Sequence, residues 1–231
     1  MNDPESIYAS MWRDAAPRLA RGENDVDATL DRPDDPRLGL SLIVRPDAAV
    51  SSAFDGFVES ARALEPRQHY HAPSERHVTV LSVIGCHAGF ELASVDVGAY
   101  VALIERCLAG IEPFEIAFDG VTASRDCVLA QGFPSGDGLG RLRASVRAGF
   151  ADATLASSLD RRYPARTAHC TLVRFRRRLA APAAFVDTLD AWRDRPFGRC
   201  RVDTVFLVVN DWFHRPGATR DLHRFALAPS G

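Results

Sequence analysis

Two short stretches of the chain carry residue types that can do chemistry together. One reads Arg76-His77-Val78-Thr79-Val80-Leu81, the other Ala168-His169-Cys170-Thr171-Leu172-Val173. Each is His-x-Thr followed by apolar residues, and the histidines stand 169 − 77 = 92 residues apart. Each copy lies in a β-branched, apolar run of the kind that forms strands. Side chains on a strand alternate between faces, so His77, Thr79 and Leu81 share one face while Val78, Val80 and Ser82 take the other. In the second copy, His169 and Thr171 oppose Cys170 and Leu172. Two imidazoles presented this way suit general acid–base catalysis: a neutral ring removes a proton from an attacking hydroxyl or water, and a charged ring returns one to the leaving oxygen. The threonine hydroxyls can donate to the non-bridging oxygens of a phosphoryl group held between them. Such a site needs no metal and no cofactor. One His-x-Thr tetrapeptide would signify only a strand face; the repetition is what carries the signal.

On these residues the chain resembles the 2H phosphoesterase superfamily, which includes the bacterial 2'-5' RNA ligases and the 2',3'-cyclic nucleotide phosphodiesterases. The resemblance rests on His77-x-Thr79 and His169-x-Thr171-Leu172 and runs more loosely over residues 38 to 228. It implies a metal-independent phosphoesterase site between two similar lobes. Arg174, five residues after the second histidine, stands where the RNA ligase branch has an arginine, which makes it a candidate substrate-binding residue. Strict alternation puts Arg174 on the face opposite His169, so a bulge or strand end is required to bring it round. Ser82 and Val83 stand where the RNA ligase branch tends to carry an aromatic.

The elements that must position these residues are those of a soluble globular chain. Hydrophobic residues make up 46% and charged residues 25% of the 231 positions, which is ordinary for such a fold. A formal net charge of −2 gives no global attraction to nucleic acid. All 28 basic residues are arginine, so an arginine cluster such as Arg176-Arg177-Arg178 reads first as a solvated strand end. The five cysteines are scattered with no C-x-x-C spacing, as expected of small buried residues in a reducing compartment. No stretch reads as a signal peptide or a membrane span. A cytoplasmic monomer with no obligate protein partner is expected.

Along the chain, residues 1–37 read as an N-terminal arm with a short helix from Pro4 to about Leu19, then a polar linker over Asp31–Pro36. Residues 38–231 read as one bilobal domain. Leu38–Val44 is a strand, and Asp47 caps a helix to about Leu64. His69-Tyr70-His71 reads as a strand end or substrate rim, because no carboxylate or third histidine at ligand spacing supports a metal there. The first motif strand closes at Gly85. Asp96 opens a helix to about Ala109, and Phe114–Ala123 with Cys127–Gly132 form a hairpin. A glycine-rich loop at Gly132–Gly140 matches neither a P-loop nor a dinucleotide fingerprint, and a long helix follows from about Leu139 to Leu159. Thr167–Phe175 is the second motif strand, Pro182 opens a helix to about Arg193, and Val202–Val209 and Leu222–Ala228 close the chain as strands. His214 and His223 read as surface or rim residues of that last hairpin.

The expected fold is α+β: two pseudo-equivalent, mainly antiparallel sheets with helices outside and a cleft between the motif strands. The expected function is hydrolysis of a cyclic phosphate or phosphodiester of a nucleotide or RNA end by His77 and His169, assisted by Thr79 and Thr171. Reversible 2'-5' ligation would run the same proton transfers backwards. A nucleotide- or RNA-binding protein of the same fold would have no need of two poised imidazoles.

Overall fold

A computed structural model describes residues 3–32, 34–161 and 164–228. Pro33, within the expected polar linker, lies outside the described residues, as do Arg162, Tyr163 and both chain ends. Among these described residues nine strands form one antiparallel sheet. They are β1 (Leu38–Val44), β2 (His69–Tyr70), β3 (Val78–His87), β4 (Phe114–Ala123), β5 (Cys127–Pro134), β6 (Cys170–Arg174), β7 (Pro196–Val202), β8 (Thr204–Asp211) and β9 (Arg220–Ala226). The order is β7-β4-β5-β6-β3-β1-β8-β9, with β2 added to β6. The motif strands β3 and β6 are adjacent at its middle, dividing this one sheet into β7-β4-β5-β6 and β3-β1-β8-β9. Between β3 and β6 the recorded ladder pairing is Val78 with Cys170, so a narrow seam joins the halves at the two motifs.

Among the described residues five α-helices cover the sheet: α1 (Pro4–Ala20), α2 (Ala48–Leu64), α3 (Val97–Leu108), α4 (Gly138–Ala151) and α5 (Pro182–Ala191). Their starts follow local chemistry. The Asp47 carboxylate accepts the Val50 N–H at 2.9 Å, and Asp96 accepts that of Ala99 at 3.1 Å, each satisfying a donor that the helix itself leaves open. The apolar stripe of α2, including Phe54, Phe57 and Ala61, is fully buried. Phe54 meets Phe118 and Phe197 edge-on at 5.3 and 5.0 Å, and one such ring contributes roughly 1.5–3 kcal/mol by burial. The helix α1 lies on β4 and α5, and its Tyr8, 1% exposed, exchanges hydrogen bonds with the backbone of Gly132 at 3.2 Å.

Three stretches depart from the sequence reading. Helix α4 stops at Ala151 rather than near Leu159. Ser158 is held off the helix by β3: its N–H donates to the Val83 carbonyl at 2.8 Å, and its hydroxyl accepts from the Gly85 N–H at 2.7 Å. Strand β7 has no counterpart in the sequence reading, which passes from a helix ending near Arg193 to a strand beginning at Val202. Its alternating Phe197, Cys200 and Val202 are buried while Arg199 and Arg201 face solvent, as fits an edge strand. The arginine run 176–178 is not simply solvated. Arg176 and Arg177 pair with Asp31, and Arg178 donates to the Asn24 carbonyl, so the run ties residues 24–31 to the end of β6.

Candidate active site

Both motif histidines precede their strands by one residue, and each ring is held from two residues upstream. His77 Nδ1 lies 2.7 Å from the Glu75 carbonyl oxygen. A carbonyl only accepts, so Nδ1 carries the proton and the neutral ring leaves Nε2 as its free base. His169 Nδ1 lies 2.7 Å from the Thr167 hydroxyl, a partner that can donate or accept, so either tautomer is open to this ring.

The strands then do the same unusual thing twice. In β3, Thr79 pairs with Ile43 and Leu81 with Leu42, leaving Val80 as an extra residue. In β6, Thr171 pairs with Leu129 and Val173 with Val128, leaving Leu172 extra. Both are β-bulges at the third residue after the histidine, and a bulge reverses the alternation beyond it. Arg174 therefore turns to the face of Thr171, by the device the sequence required. Ser82, expected opposite Thr79, is likewise carried to the Thr79 face, while Leu81 leaves that face to pair with Leu42 in the core.

The result is a polar cavity of about 110 Å³ lined by His77, His169, Thr79, Thr171, Arg174 and Ser82, far more than the roughly 15 Å³ that admits one water. It shares Thr79, His169, Thr171 and Arg174 with a larger neighbouring cavity of about 520 Å³. There Ile7 and Met11 of α1, together with Leu129 and Trp212, supply apolar wall, and Arg161 and Arg166 stand at its polar part. Arg174 donates to Asp126 at 2.9 Å, and its buried Nε has no partner among the described residues.

Burial dominates the electrostatics. Desolvation lowers His77 to about 4 from the usual 6.5, and His169 likewise to about 4, with the charge of His77 adding to the effect at His169. Left to this environment, both rings are neutral at pH 7. An anion between them would favour their charged forms.

Three neighbours escaped the sequence reading. His214 is not a rim residue: it is 8% exposed and stacks on His77 with ring centroids 3.7 Å apart and planes at 29°. Its backbone is in the left-handed region at φ +57°, a conformation histidine tolerates better than most residues and one that clusters at functional sites. His223, in contrast, is a surface residue 3.5 Å from Glu105. Arg143 of α4 is 6% exposed and donates to the carbonyls of Val80, Thr79 and Thr167 at 2.9, 3.0 and 2.7 Å. One guanidinium thus braces both motifs. Its signal was an arginine on the apolar stripe formed by Leu139, Leu142, Val146 and Phe150. The third is Glu75, whose carboxylate reaches back to His69 and His71; it stands four residues after His71, which corrects the expectation that no carboxylate lies there at ligand spacing. Gly132 permits the close approach of β5 to the second motif, because a Cβ there would stand 2.0 Å from the Ala168 carbonyl oxygen.

An α+β sheet with paired His-x-Thr bulges around one polar cleft defines a class of two-histidine phosphoesterase-like folds. The family model described as the 2'-5' RNA ligase superfamily matches residues 50–211, and the chain belongs to that superfamily. Among solved structures it is similar to TT0787 of Thermus thermophilus, at 19% identity and a TM-score of 0.55 over 83% of this chain and 97% of that one. It is similar to E. coli LigT complexed with 3'-AMP, at 19% identity and 0.52 over 84% and 99%. A conserved protein of unknown function from Agrobacterium tumefaciens, ATU0111, aligns at 12% identity and 0.54 over 90% and 97%. No curated protein matches the chain. Among the described residues no helix is long and apolar enough to cross a membrane.

Proposed function

We propose that the chain is a phosphoesterase that opens a cyclic phosphate, or cleaves a phosphodiester, of a nucleotide or RNA end, with two imidazoles and no metal in the chemical step. The observation that carries this reading is the pair His77 and His169, each oriented through Nδ1 and both facing one phosphoryl-sized polar cavity with Thr79, Thr171 and Arg174. In hydrolysis of a 2',3'-cyclic phosphate, one neutral imidazole takes a proton from water as the water oxygen bonds to phosphorus. The bond from phosphorus to one ribose oxygen breaks, and the other imidazole, charged, gives that oxygen its proton. The threonine hydroxyls and the Arg174 guanidinium donate to the non-bridging oxygens, where charge builds up.

The low affinity of both half-buried rings for protons makes the substrate part of the machinery. The phosphoryl anion brings the negative charge that lets one ring be protonated, so proton uptake accompanies binding. The larger cavity, with its apolar wall at Ile7, Met11 and Trp212, has room for the nucleoside. That E. coli LigT has been solved with 3'-AMP and with phosphate fits a ligand of this kind. The test is a screen of 2',3'-cyclic nucleotides, ADP-ribose cyclic phosphate and short RNAs with cyclic 2',3'-phosphate ends, all with EDTA present. Turnover of at least one with His77→Ala and His169→Ala inactive is the expected result. Absence of turnover on all of them, with tight binding retained, would make the chain a binding protein.

A further inference from the structure

Beside the proton-transfer pair, and opening onto the same small cavity through His71, a second group of side chains converges with no role in the proton transfers above. His69 lies at the end of the helix–strand connection, on β2 opposite Arg174 of β6. His71 follows two residues later, its N–H bound to the Leu172 carbonyl at 3.0 Å. A single 3-10 turn over Pro73–Glu75 then folds the chain back and sets the Glu75 carboxylate against both rings. Glu75 Oε2 is 3.7 Å from His71 Nδ1 and 3.9 Å from His69 Nε2, and one ligand atom from each of the three residues lies within 4.8 Å of the others.

These distances are too long for hydrogen bonds. His71 is 3% exposed, yet neither of its ring nitrogens has a partner among the described residues, and His69 Nε2 is likewise buried and unpaired. Buried polar atoms left unpaired are costly, and three in one spot call for a ligand. The rings lie nearly perpendicular, at 88° with centroids 4.8 Å apart, so they do not stack face to face. The surroundings hold the group in place. The Ala72 N–H donates to Glu75 Oε2 at 2.7 Å, and the buried Arg76 guanidinium donates to the His71 carbonyl at 3.2 Å. Supports of this kind orient the ligands of metal sites.

We propose that His69, His71 and Glu75 form a binding site for a divalent transition metal of the zinc class. Two imidazoles and one carboxylate are a donor set that zinc accepts, with the fourth position left to water. Ligand atoms about 2.0–2.1 Å from a tetrahedral zinc stand roughly 3.4 Å apart, so the cluster needs only a small closure around the ion. The site adjoins the proton-transfer pair, since His71 and His77 line one cavity, but it uses neither His77 nor His169 as a ligand and does not depend on the function proposed above. Its consequence is mechanical: the ion would clip β2 to the turn whose Glu75 carbonyl holds His77 Nδ1.

The test uses the full chain, dialysed against chelator and then titrated with Zn²⁺ by calorimetry and with Co²⁺ by visible absorption. One equivalent is expected to bind, with the intense d–d bands of four- or five-coordinate cobalt, and Zn²⁺ is expected to raise Tm. His69→Ala and Glu75→Gln should each weaken binding by more than about 100-fold, beyond the 10–100-fold that loss of a supporting hydrogen bond produces. His223→Ala, at the distant β9 surface, should bind as the wild type does. His69 is the lead position because its side chain is partly exposed and its loss leaves the backbone pairing intact. Absence of saturable binding, octahedral cobalt spectra, or binding unchanged in both His69→Ala and Glu75→Gln would overturn the site.

Discussion

Val78 pairs directly with Cys170 across the β3–β6 seam. Carried one residue to either side, this antiparallel register sets His77 opposite Thr171 and Thr79 opposite His169. In this register each motif histidine stands opposite the threonine of the other motif. The first expected consequence is that the two histidines act as a unit. Replacing either by Ala should lower turnover by roughly 10²–10⁴-fold, the usual range for a lost acid or base. The double variant should lose far less than the product of the two single losses. Steady-state kinetics on a confirmed substrate decides the matter: a folded His77→Ala protein with wild-type turnover would refute the mechanism.

The hydroxyls and the guanidinium should weigh less. Thr79→Val and Thr171→Val keep the shape and remove one donor each, and each should cost less than either histidine change, within the roughly 10²–10³-fold seen when one oxyanion donor is removed. Arg174→Gln should act more strongly on kcat/KM than Ser82→Ala, although the two residues occupy equivalent places after the two bulges. Arg174 brings a charge to an anionic group, and Ser82 brings only a hydroxyl. Equal losses at the two positions would show that Arg174 does not meet the phosphoryl group.

Protonation provides a third prediction. His169 is lowered from 6.5 to about 4 in the folded chain by burial and by His77. Between those values the unfolded chain holds the proton and the folded chain does not, so stability should fall as pH drops from about 6.5 toward 4 and be flat above that window. Thermal melts across this range are the measurement, and His169→Asn should flatten part of the slope. Inorganic phosphate should bind with proton uptake, read as a buffer-dependent heat in calorimetry. Binding at pH 7 with no proton uptake would mean that neither ring charges on meeting the anion.

Arg143 should behave as a positioning residue. Arg143→Leu leaves the Val80, Thr79 and Thr167 carbonyls without their donor, and with about 1–3 kcal/mol for each unsatisfied buried group the loss should exceed about 3 kcal/mol in denaturant unfolding. Arg143→Lys keeps the charge but not the fork that spans both motifs. It should recover part of the stability while leaving kcat depressed. Full recovery of kcat by lysine would sink the bracing role.

Chelation separates the two sites. EDTA should leave turnover in place, because the proton transfers use His77 and His169 alone, while lowering Tm if an ion is held by His69, His71 and Glu75. Activity abolished by EDTA and restored by zinc would move the metal into the chemical step.

From the order of amino acids alone follow the motifs, the strand character of the runs around them, the caps of α2 and α3 at Asp47 and Asp96, and the α+β class. All of these rest on local chemistry: alternation along a strand, β-branched residues in extended backbone, and carboxylates at helix starts. Where the reading failed, the deciding contact in most places came from far away in the chain, with Glu75, four residues after His71, the local exception. Leu155 and Leu159 could have continued α4 had Val83 and Gly85 not claimed Ser158. The strand β7 exists because β4 pairs with it. Alternation placed Ser82 and Arg174 correctly only up to the bulges, and a bulge is visible only in the register against the partner strands β1 and β5. His214 reached His77 from the turn between β8 and β9, and Glu75 reached two histidines through one turn of 3-10 helix. Periodicity records which face a residue shares with its neighbours; it does not record what stands opposite that face, and the cleft is made of what stands opposite.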